Sequence, residues 1–249
     1  MSGGSSINLL LGTSGWTYEH WKERFYPKEL SKQKWFGYYT HHFDTVELNA
    51  SFYRIPTAKV TQGWFNRSPE NFRFAVKFSR LITHVKKLKD CQRELDWFFS
   101  VFEPLKEKIC IYLIQLPPNL KCDIDRLAGF LKTLPGDNSY ALEFRNTSWY
   151  TDKTLELLKA HHVAFCIHDL PGFPSEKIIT SENVYIRFHG HESLYGGDYP
   201  EEVLKNWAKW IFDIQKKRGK KVMGYFNNDI NAYSVKNCLE LKGMVRQLQ

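Results

Sequence analysis

The chain has 249 residues, 43% of them hydrophobic, which is enough to bury the core of one large domain or two small ones. No apolar run approaches the ~20 residues of a membrane span, and residues 1–11 lack a signal-peptide pattern. The five cysteines are scattered and predict neither a disulfide framework nor a zinc site. We therefore expect a cytoplasmic protein. The net charge of +8 favours an anionic partner, such as nucleic acid or a phosphorylated metabolite, unless it serves solubility alone through lysines on outer helices.

Strand-like and helix-like segments alternate along the chain. Strands are predicted at residues 9–13, 45–49, 72–78, 109–115, 140–144, 164–168, 184–189 and 222–226. Helices are predicted at residues 31–42, 57–66, 91–102, 125–134, 152–161, 200–218 and 231–248. The connection between strands six and seven contains Pro171-Gly172-Phe173-Pro174 and is too broken for a full helix. We expect residues 1–6 to be flexible and residues 7–249 to form a single domain.

Eight strands with intervening helices predict an α/β fold, a single TIM-type (β/α)₈ barrel with an irregular connection between strands six and seven. The competing architecture is an open, doubly wound sheet. It is less favoured because no Gly-x-Gly-x-x-Gly follows the first strand, where Gly12-Thr13-Ser14-Gly15 has a different spacing.

Polar side chains follow the predicted strands at their C-terminal ends. Because side chains alternate across a strand, Glu143 shares a face with Arg145, and Arg187 shares one with His189. The apolar alternates can cover helices, which leaves the polar sets pointing into the barrel mouth. The predicted mouth residues are Glu47, Asn49, Lys77, Gln115, Glu143, Arg145, Asp169 (or His168), Arg187, His189, Asn227, Asn228 and Asp229.

The same residues also fit a structural role as buried ion pairs that fix the barrel. Glu143 could pair with Arg187, and Glu47 with Lys77 or Arg145. The number of polar residues at the same end of successive strands favours a functional site.

Loops on the same face add candidates for substrate binding. Tyr53 and Arg54 extend the polar run of strand two, and Tyr53 and Trp149 could stack on a sugar or a base or simply pack their loops. His84, after strand three, is a candidate acid or base, and a structural loop histidine fits equally well.

The basic mouth residues Lys77, Arg145 and Arg187 suit an anion, since arginine binds phosphate or carboxylate through two N–H groups. Asn49, Gln115, Asn227 and Asn228 complete the expected substrate-binding set.

The candidate catalytic residues are Glu47, Glu143, Asp169 and His189. The three carboxylates could hold Mg²⁺ or Mn²⁺, with His189 and Asn228 as further ligands, and support phosphodiester hydrolysis. A metal-free site with one carboxylate as base and another as acid is equally consistent with the sequence. Two carboxylates also fit glycoside hydrolysis, although three basic groups suit a neutral sugar poorly.

Several motifs resemble the YecE-like family, also called domain of unknown function seventy-two. They run in order along nearly the whole chain: Gly12-Thr13-Ser14-Gly15-Trp16, Thr45-Val46-Glu47-Leu48-Asn49, Phe52-Tyr53-Arg54-Ile55-Pro56, Phe74-Ala75-Val76-Lys77, Thr83-His84, Gln115-Leu116-Pro117-Pro118, Glu143-Phe144-Arg145, Ser148-Trp149, Arg187-Phe188-His189-Gly190 and Phe226-Asn227-Asn228. The resemblance implies a TIM-type barrel and supplies no reaction.

Three functions therefore remain as expectations. The first is an anion-binding barrel that acts as a metal-assisted phosphodiester hydrolase. The second is a sugar-phosphate isomerase or glycosidase, and the third is a non-catalytic protein that binds nucleic acid or a metabolite. The sequence carries no signal for oligomeric state.

Overall fold

A computed structural model describes residues 9–191, 193 and 195–249, apart from the side chain of Tyr53. The predicted flexibility of residues 1–6 lies outside these described residues. Eight parallel strands form one sheet in the order β1-β8-β7-β6-β5-β4-β3-β2. The strands are β1 (Leu9–Thr13), β2 (Thr45–Leu48), β3 (Arg73–Lys77), β4 (Ile109–Gln115), β5 (Tyr140–Glu143), β6 (Ala164–Asp169), β7 (Asn183–Phe188) and β8 (Lys221–Phe226).

Helices alternate with the strands and form the outer layer. They are α1 (Trp35–Thr40), α2 (Ala50–Tyr53), α3 (Ala58–Arg67), α4 (Gln92–Phe102), α5 (Ile124–Leu131), α6 (Asp152–Ala160), α7 (Glu201–Arg218) and α8 (Tyr233–Leu248). This arrangement confirms the predicted TIM-type barrel. Residues 170–182 form no helix, as expected from their prolines. No helix in the described part of the chain is long and apolar enough to cross a membrane.

The apolar core has two parts because strand side chains alternate. One lies between the strands and the helices, and α4 supplies Leu95, Phe98 and Phe102 to it. The other fills the barrel interior and includes Ala75, Ile111, Leu113, Ala141, Cys166, Tyr185 and Tyr225. The interior is therefore filled below the mouth, where the Thr45 and Tyr225 hydroxyls contact each other at 2.9 Å, and the buried carboxylates and Arg187 lie above this apolar plug.

The seam between β1 and β2 is closed by side chains, since no backbone ladder joins these two strands among the described residues. The Tyr39 hydroxyl accepts a hydrogen bond from the Thr13 amide at 3.1 Å and donates one to the Thr45 carbonyl at 3.0 Å. A Cβ atom on Gly12 would lie 2.3 Å from the Thr45 oxygen, so only glycine allows this close approach.

Several local elements differ from the sequence prediction. The predicted helix at residues 31–42 is a 3₁₀ turn, Lys32–Lys34, followed by the shorter α1. Helix α8 begins at Tyr233 rather than at residue 231, because Asn231 and Ala232 have left-handed backbones with φ of 57° and 60°. Helix α2 was not predicted. It begins where β2 stops, and its Ser51 hydroxyl donates a hydrogen bond to the Lys77 carbonyl at 2.6 Å.

Candidate functional site

The floor of the mouth is a buried ion pair between Glu47 on β2 and Arg187 on β7. Arg187 donates Nε to Glu47 Oε2 at 2.9 Å and Nη2 to Glu47 Oε1 at 2.7 Å, a bidentate contact. Ser14 and Tyr185 donate their hydroxyls to the same two oxygens, each at 2.7 Å. Four hydrogen bonds saturate the Glu47 carboxylate, so it is held as part of the structure.

Glu143 on β5 joins this floor to the open mouth. Its Oε2 accepts the third Arg187 hydrogen bond, from Nη1 at 2.8 Å. Its Oε1 accepts from Gln115 Nε2 at 2.9 Å and from Arg145 Nε. The expected Glu143–Arg187 pair therefore exists, whereas Glu47 pairs with Arg187 and not with Lys77 or Arg145.

Both buried carboxylates are held in their ionised form. Burial alone would raise the pKa of Glu47, but the charge and hydrogen bonds of Arg187 outweigh it and lower that pKa. Burial likewise opposes ionisation of Glu143, and the charges of Arg145 and Arg187 hold its pKa well below the usual range. Neither group is a proton donor at neutral pH.

Arg145 is the guanidinium that faces the mouth, with its side chain 15% exposed. Glu143 holds its Nε, and its Nη2 lies 3.1 Å from His189 Nε2. The other ring nitrogen of His189 lies 3.2 Å from Asn227 Nδ2. Burial and the charge of Arg187 lower the pKa of His189 to about 3, so this histidine is neutral; its Nε2 accepts from Arg145, and its Nδ1 faces the Asn227 side-chain amide.

Lys77 ends β3 with its side chain on the inward face, level with Leu113 of β4. Its Nζ lies 4.1 Å from the centre of the Phe52 ring, which α2 places over it. Burial, followed by the charge of Arg187, lowers the pKa of Lys77 to about 7. The amine therefore exchanges its proton near neutral pH.

His84 lies on the same side of the mouth, in a π-helical turn at Leu81–Val85. Its ring packs edge-on against Phe52 with centroids 4.9 Å apart, and its Nδ1 contacts the Thr83 hydroxyl at 2.9 Å. Burial and the charge of Lys77 lower the pKa of His84 to about 4. Single π-turns often mark functional positions, and this one brings a neutral imidazole beside Phe52.

At the end of β6 the structure places His168 inward and Asp169 outward. His168 lies level with Arg187 of β7, contacts the Tyr150 hydroxyl at 3.1 Å and stacks on Phe173. Asp169 accepts a hydrogen bond from Tyr199 in the layer between strands and helices. Asp169 is therefore separated from Glu47 and Glu143.

Other predicted site residues also lie apart from this cluster. Trp149 is fully buried, stacks on Phe144 and donates its indole N–H to the Leu120 carbonyl at 2.8 Å, so it packs its loop. Asn228 is buried and donates to the Gly197 carbonyl and to Asn237, each at 2.9 Å.

The remaining candidates follow β2. The inward alternation stops before Asn49, which has a helical backbone and directly precedes α2. Its Oδ1 is buried and has no hydrogen-bond partner among the described residues. Arg54 is exposed to solvent. The side chain of Tyr53 lies outside the described part of the structure.

The expected Mg²⁺ or Mn²⁺ centre does not fit this arrangement. Among the described residues, no three His, Cys, Asp or Glu side chains converge as metal ligands. Glu47 and Glu143 are already neutralised by guanidinium groups, and a cation placed between them would meet Arg187.

Sequence reasoning missed several residues of the cluster. Phe52 lies within the Phe52-Tyr53 motif but carries no polar signal, and Tyr150 follows no strand. Ser14 had a detectable signal, because it continues the inward alternation of β1 two residues beyond Gly12.

A cavity of about 650 Å³ lies near the N-terminal end of β4, away from this cluster. Its lining includes Glu103, Glu107 and Asp137 against the single basic side chain of Lys106. That charge balance is unsuited to an anion.

Comparison with protein families gives one match over nearly the whole chain. The family described as "Protein of unknown function DUF72" matches residues 10–249. The chain is 30% identical to the UPF0759 protein YunF of Bacillus subtilis over 262 residues, 92% of each chain. It is 32% identical to the UPF0759 protein YecE of Escherichia coli K12 over 199 residues, 69% of this chain and 73% of YecE.

Solved structures show the same similarity. A crystal structure of a DUF72 family protein from Thermotoga maritima MSB8 superposes with a TM-score of 0.85 and 31% identity, covering 95% of this chain and 98% of that one. A DUF72 family protein from Enterococcus faecalis V583 has a TM-score of 0.82 at 22% identity and 95% coverage of each chain, a similarity of fold.

Proposed function

Because the chain belongs to the DUF72 family, whose description names no activity, we propose from the geometry of the mouth that the barrel binds a small anionic metabolite there. The observation that carries this proposal is the state of Arg145. Two of its five N–H bonds are used, one by Glu143 and one by His189, and the other three meet no acceptor among the described residues. A partly exposed guanidinium held in one orientation is a ready partner for a carboxylate or phosphate.

Preorganisation supports this role. Glu143 fixes the Nε side of Arg145, and Asn227 fixes His189, which in turn contacts Nη2. The guanidinium is thus oriented before a ligand arrives, so little side-chain entropy is lost on binding.

Lys77 supplies a second positive charge when protonated. An anion beside it favours the ammonium form, so its pKa of about 7 should rise on binding. At pH 8 the complex should therefore take up a proton from solvent.

Three more specific functions are less well supported: phosphodiester hydrolysis, glycoside hydrolysis and nucleic-acid binding. Metal-assisted phosphodiester hydrolysis needs a set of metal ligands, and Glu47, Glu143 and His189 have their acceptor atoms occupied. A glycosidase needs one carboxylic acid that stays protonated, but the pKa values of both buried glutamates are lowered.

Nucleic-acid binding would need a basic track that leads to the mouth. The cluster of Lys216, Lys217 and Arg218 instead closes α7, at the N-terminal end of the strands, and Lys217 pairs with Asp213. A second basic cluster, Lys86, Lys87 and Lys89, does follow β3 on the mouth side, but Lys86 pairs there with Glu94 at 2.8 Å. We therefore rank a small anion above a polymer.

Titration calorimetry with inorganic phosphate, pyruvate and glycerol 3-phosphate tests the proposal. Wild-type protein should bind at least one of these anions, and Arg145→Gln should weaken that affinity by at least about tenfold, the loss of one charge-assisted pair. Arg246→Gln is a matched control, since this exposed arginine ends α8 on the opposite face and should leave binding unchanged. Absence of binding at millimolar concentrations, or equal affinity in a folded Arg145→Gln variant, would contradict the proposal.

A further inference from the structure

Two lysines of the chain have the same exposed fraction but differ in their hydrogen-bond acceptors. Lys77 and Lys108 are each 8% exposed. The Lys108 ammonium donates to the Phe65, Ser68 and Pro69 carbonyls and to the Ser68 hydroxyl at 2.8–3.1 Å. These four oxygens satisfy an ammonium ion completely. Lys108 is therefore a structural lysine that anchors the chain between α3 and β4.

Lys77 has no comparable set of acceptors. Among the described residues, its Nζ contacts only the face of the Phe52 ring. The two nearby carboxylates cannot serve it, because Arg187 holds Glu47 and both Arg187 and Arg145 hold Glu143. With only 8% of Lys77 exposed and no carboxylate or carbonyl acceptor in the described part of the chain, the ammonium form is disfavoured relative to the neutral amine.

The charged groups around Lys77 come from several elements and do not cancel this effect. Arg187 of β7 and Arg145 beyond β5 disfavour the ammonium, while Glu143 and Glu47 favour it. Burial dominates, and the pKa of about 7 leaves roughly half of the amine unprotonated at neutral pH.

The loop after β3 adds a proton carrier and marks the place as strained. His84, neutral at pH 7, packs against the same Phe52 ring as Lys77. Directly after the π-turn, Lys87, Leu88 and Asp90 have φ of 50°, 68° and 44°. Such left-handed residues are costly outside glycine and concentrate at functional loops.

We propose that Lys77 is a nucleophile that forms an imine with a carbonyl group of the anionic metabolite. The proposal rests on the anion site assigned to Arg145 and adds the ligand's second functional group. The substrate class is a small aldehyde or ketone that carries a carboxylate or a phosphate. Arg145 holds the anion, and Lys77 attacks the carbonyl carbon.

The step balances without an external reagent. The lone pair of Nζ forms a C–N bond, and the carbonyl oxygen takes one proton from the amine to give a carbinolamine. The second amine proton goes to the same oxygen, the C–O bond breaks, and water leaves as the C=N bond forms. We assign the transfer of these protons to His84, which packs against the same Phe52 ring as Lys77, and no electrons enter or leave.

Reductive trapping tests this chemistry on the full chain. The protein is incubated with sodium cyanoborohydride and one of three probes: pyruvate, dihydroxyacetone phosphate or neutral acetone. Modified lysines are then located by peptide mass mapping. We expect an adduct at Lys77 with pyruvate or dihydroxyacetone phosphate, and none on the Lys108 peptide, which is the internal control of equal burial.

Rate measurements separate the roles of the two cations. Labelling of Lys77 should rise with pH to a midpoint near 7, and should be at least about tenfold slower with acetone or in Arg145→Gln. Lys77→Arg keeps the charge but cannot form an imine, so it should give no adduct at this position. If that variant does not fold, mapping on the wild-type chain still decides the question.

Each outcome is decisive for one of the two proposals. Anion binding in the calorimeter without any adduct at Lys77 overturns the imine and leaves the anion site standing. An adduct that forms equally fast with acetone supports the nucleophile and contradicts the role of Arg145. Labelling of surface lysines in preference to Lys77 overturns the imine.

Discussion

Replacing Arg187 by methionine should destabilise the barrel by about 3–5 kcal/mol, the cost of removing one partner from a buried ion pair. Arg187 is 1% exposed and donates three hydrogen bonds of 2.7–2.9 Å to two carboxylates. The substitution removes hydrogen bonds from both carboxylates, but it leaves them with different remaining partners. Glu143 keeps Arg145, while Glu47 keeps only the hydroxyls of Ser14 and Tyr185.

This asymmetry predicts which second substitution rescues the variant. Adding Glu47→Gln to Arg187→Met removes the uncompensated charge and should recover at least about 2 kcal/mol of the loss. Adding Glu143→Gln should recover little, because it leaves Arg145 without its carboxylate. Urea unfolding of the wild type, the single variant and both double variants gives the free energies directly.

The dependence on pH provides an independent check. In the wild type the pKa of Glu47 is lowered, so its contribution to stability is present above pH 4.5 and is lost as pH falls through the lower value. Without Arg187, burial should raise the pKa of Glu47 above 4.5. Protonation of Glu47 in acid then removes the uncompensated buried charge and reduces the loss of stability. The difference in unfolding free energy between the wild type and Arg187→Met should therefore become smaller from pH 8 to pH 4.5. A loss below about 1 kcal/mol, or equal rescue by both glutamines, would refute this account of the floor.

Three further changes have defined outcomes. Lys77→Met should raise the free energy of unfolding by up to about 5 kcal/mol below pH 7, because each pKa unit between 10.5 and about 7 corresponds to about 1.36 kcal/mol. This gain should vanish above about pH 10.5, where the lysine is neutral in both the folded and the unfolded chain. Equal gains in urea titrations at pH 6 and pH 10 would contradict the prediction. Trp149→Phe should lower stability by about 1–3 kcal/mol through loss of the hydrogen bond to Leu120, with anion affinity at the mouth unchanged in calorimetry. Gly12→Ala should lower stability in thermal unfolding by at least about 2 kcal/mol, because its Cβ would lie 2.3 Å from the Thr45 carbonyl oxygen. An unchanged melting temperature would show that β1 and β2 can move apart without cost.

The barrel was predictable because its strands are runs of buried apolar residues bounded by turns. Strand β4, Ile109–Gln115, has the predicted bounds, and the broken connection after β6 was expected from its prolines. Helix α2 and the π-turn at Leu81–Val85 could not be predicted, because segments of four or five residues carry no hydrophobic period. Tertiary contacts such as that of Ser51 with the Lys77 carbonyl fix their geometry.

Side-chain alternation predicted which face of a strand a residue occupies but not its partner. It directed Glu47, Glu143 and Arg187 inward, and the structure brings these three together. That Arg187 would reach both glutamates from across the barrel depends on strand tilt and register, which the sequence does not reveal. Beyond the last strand residue the alternation still holds for Ser14, Arg145 and His189, but it fails for Asn49 and Asn228, so it is an unreliable guide there.

The side-chain closure between β1 and β2 also bears on the order of events during synthesis. Among the described strands, the only backbone ladder of β1 is with β8, and these strands are about 200 residues apart in the chain. Strand β1 must therefore wait for β8, which is synthesised about 200 residues later. Until then only side-chain contacts, those of the Tyr39 hydroxyl and of Ser14 with Glu47, can hold β1 beside β2 among the described residues. Ring closure is thus a late, long-range step, and a chain truncated before residue 221 should keep β1 unpaired and exposed to chaperones or aggregation.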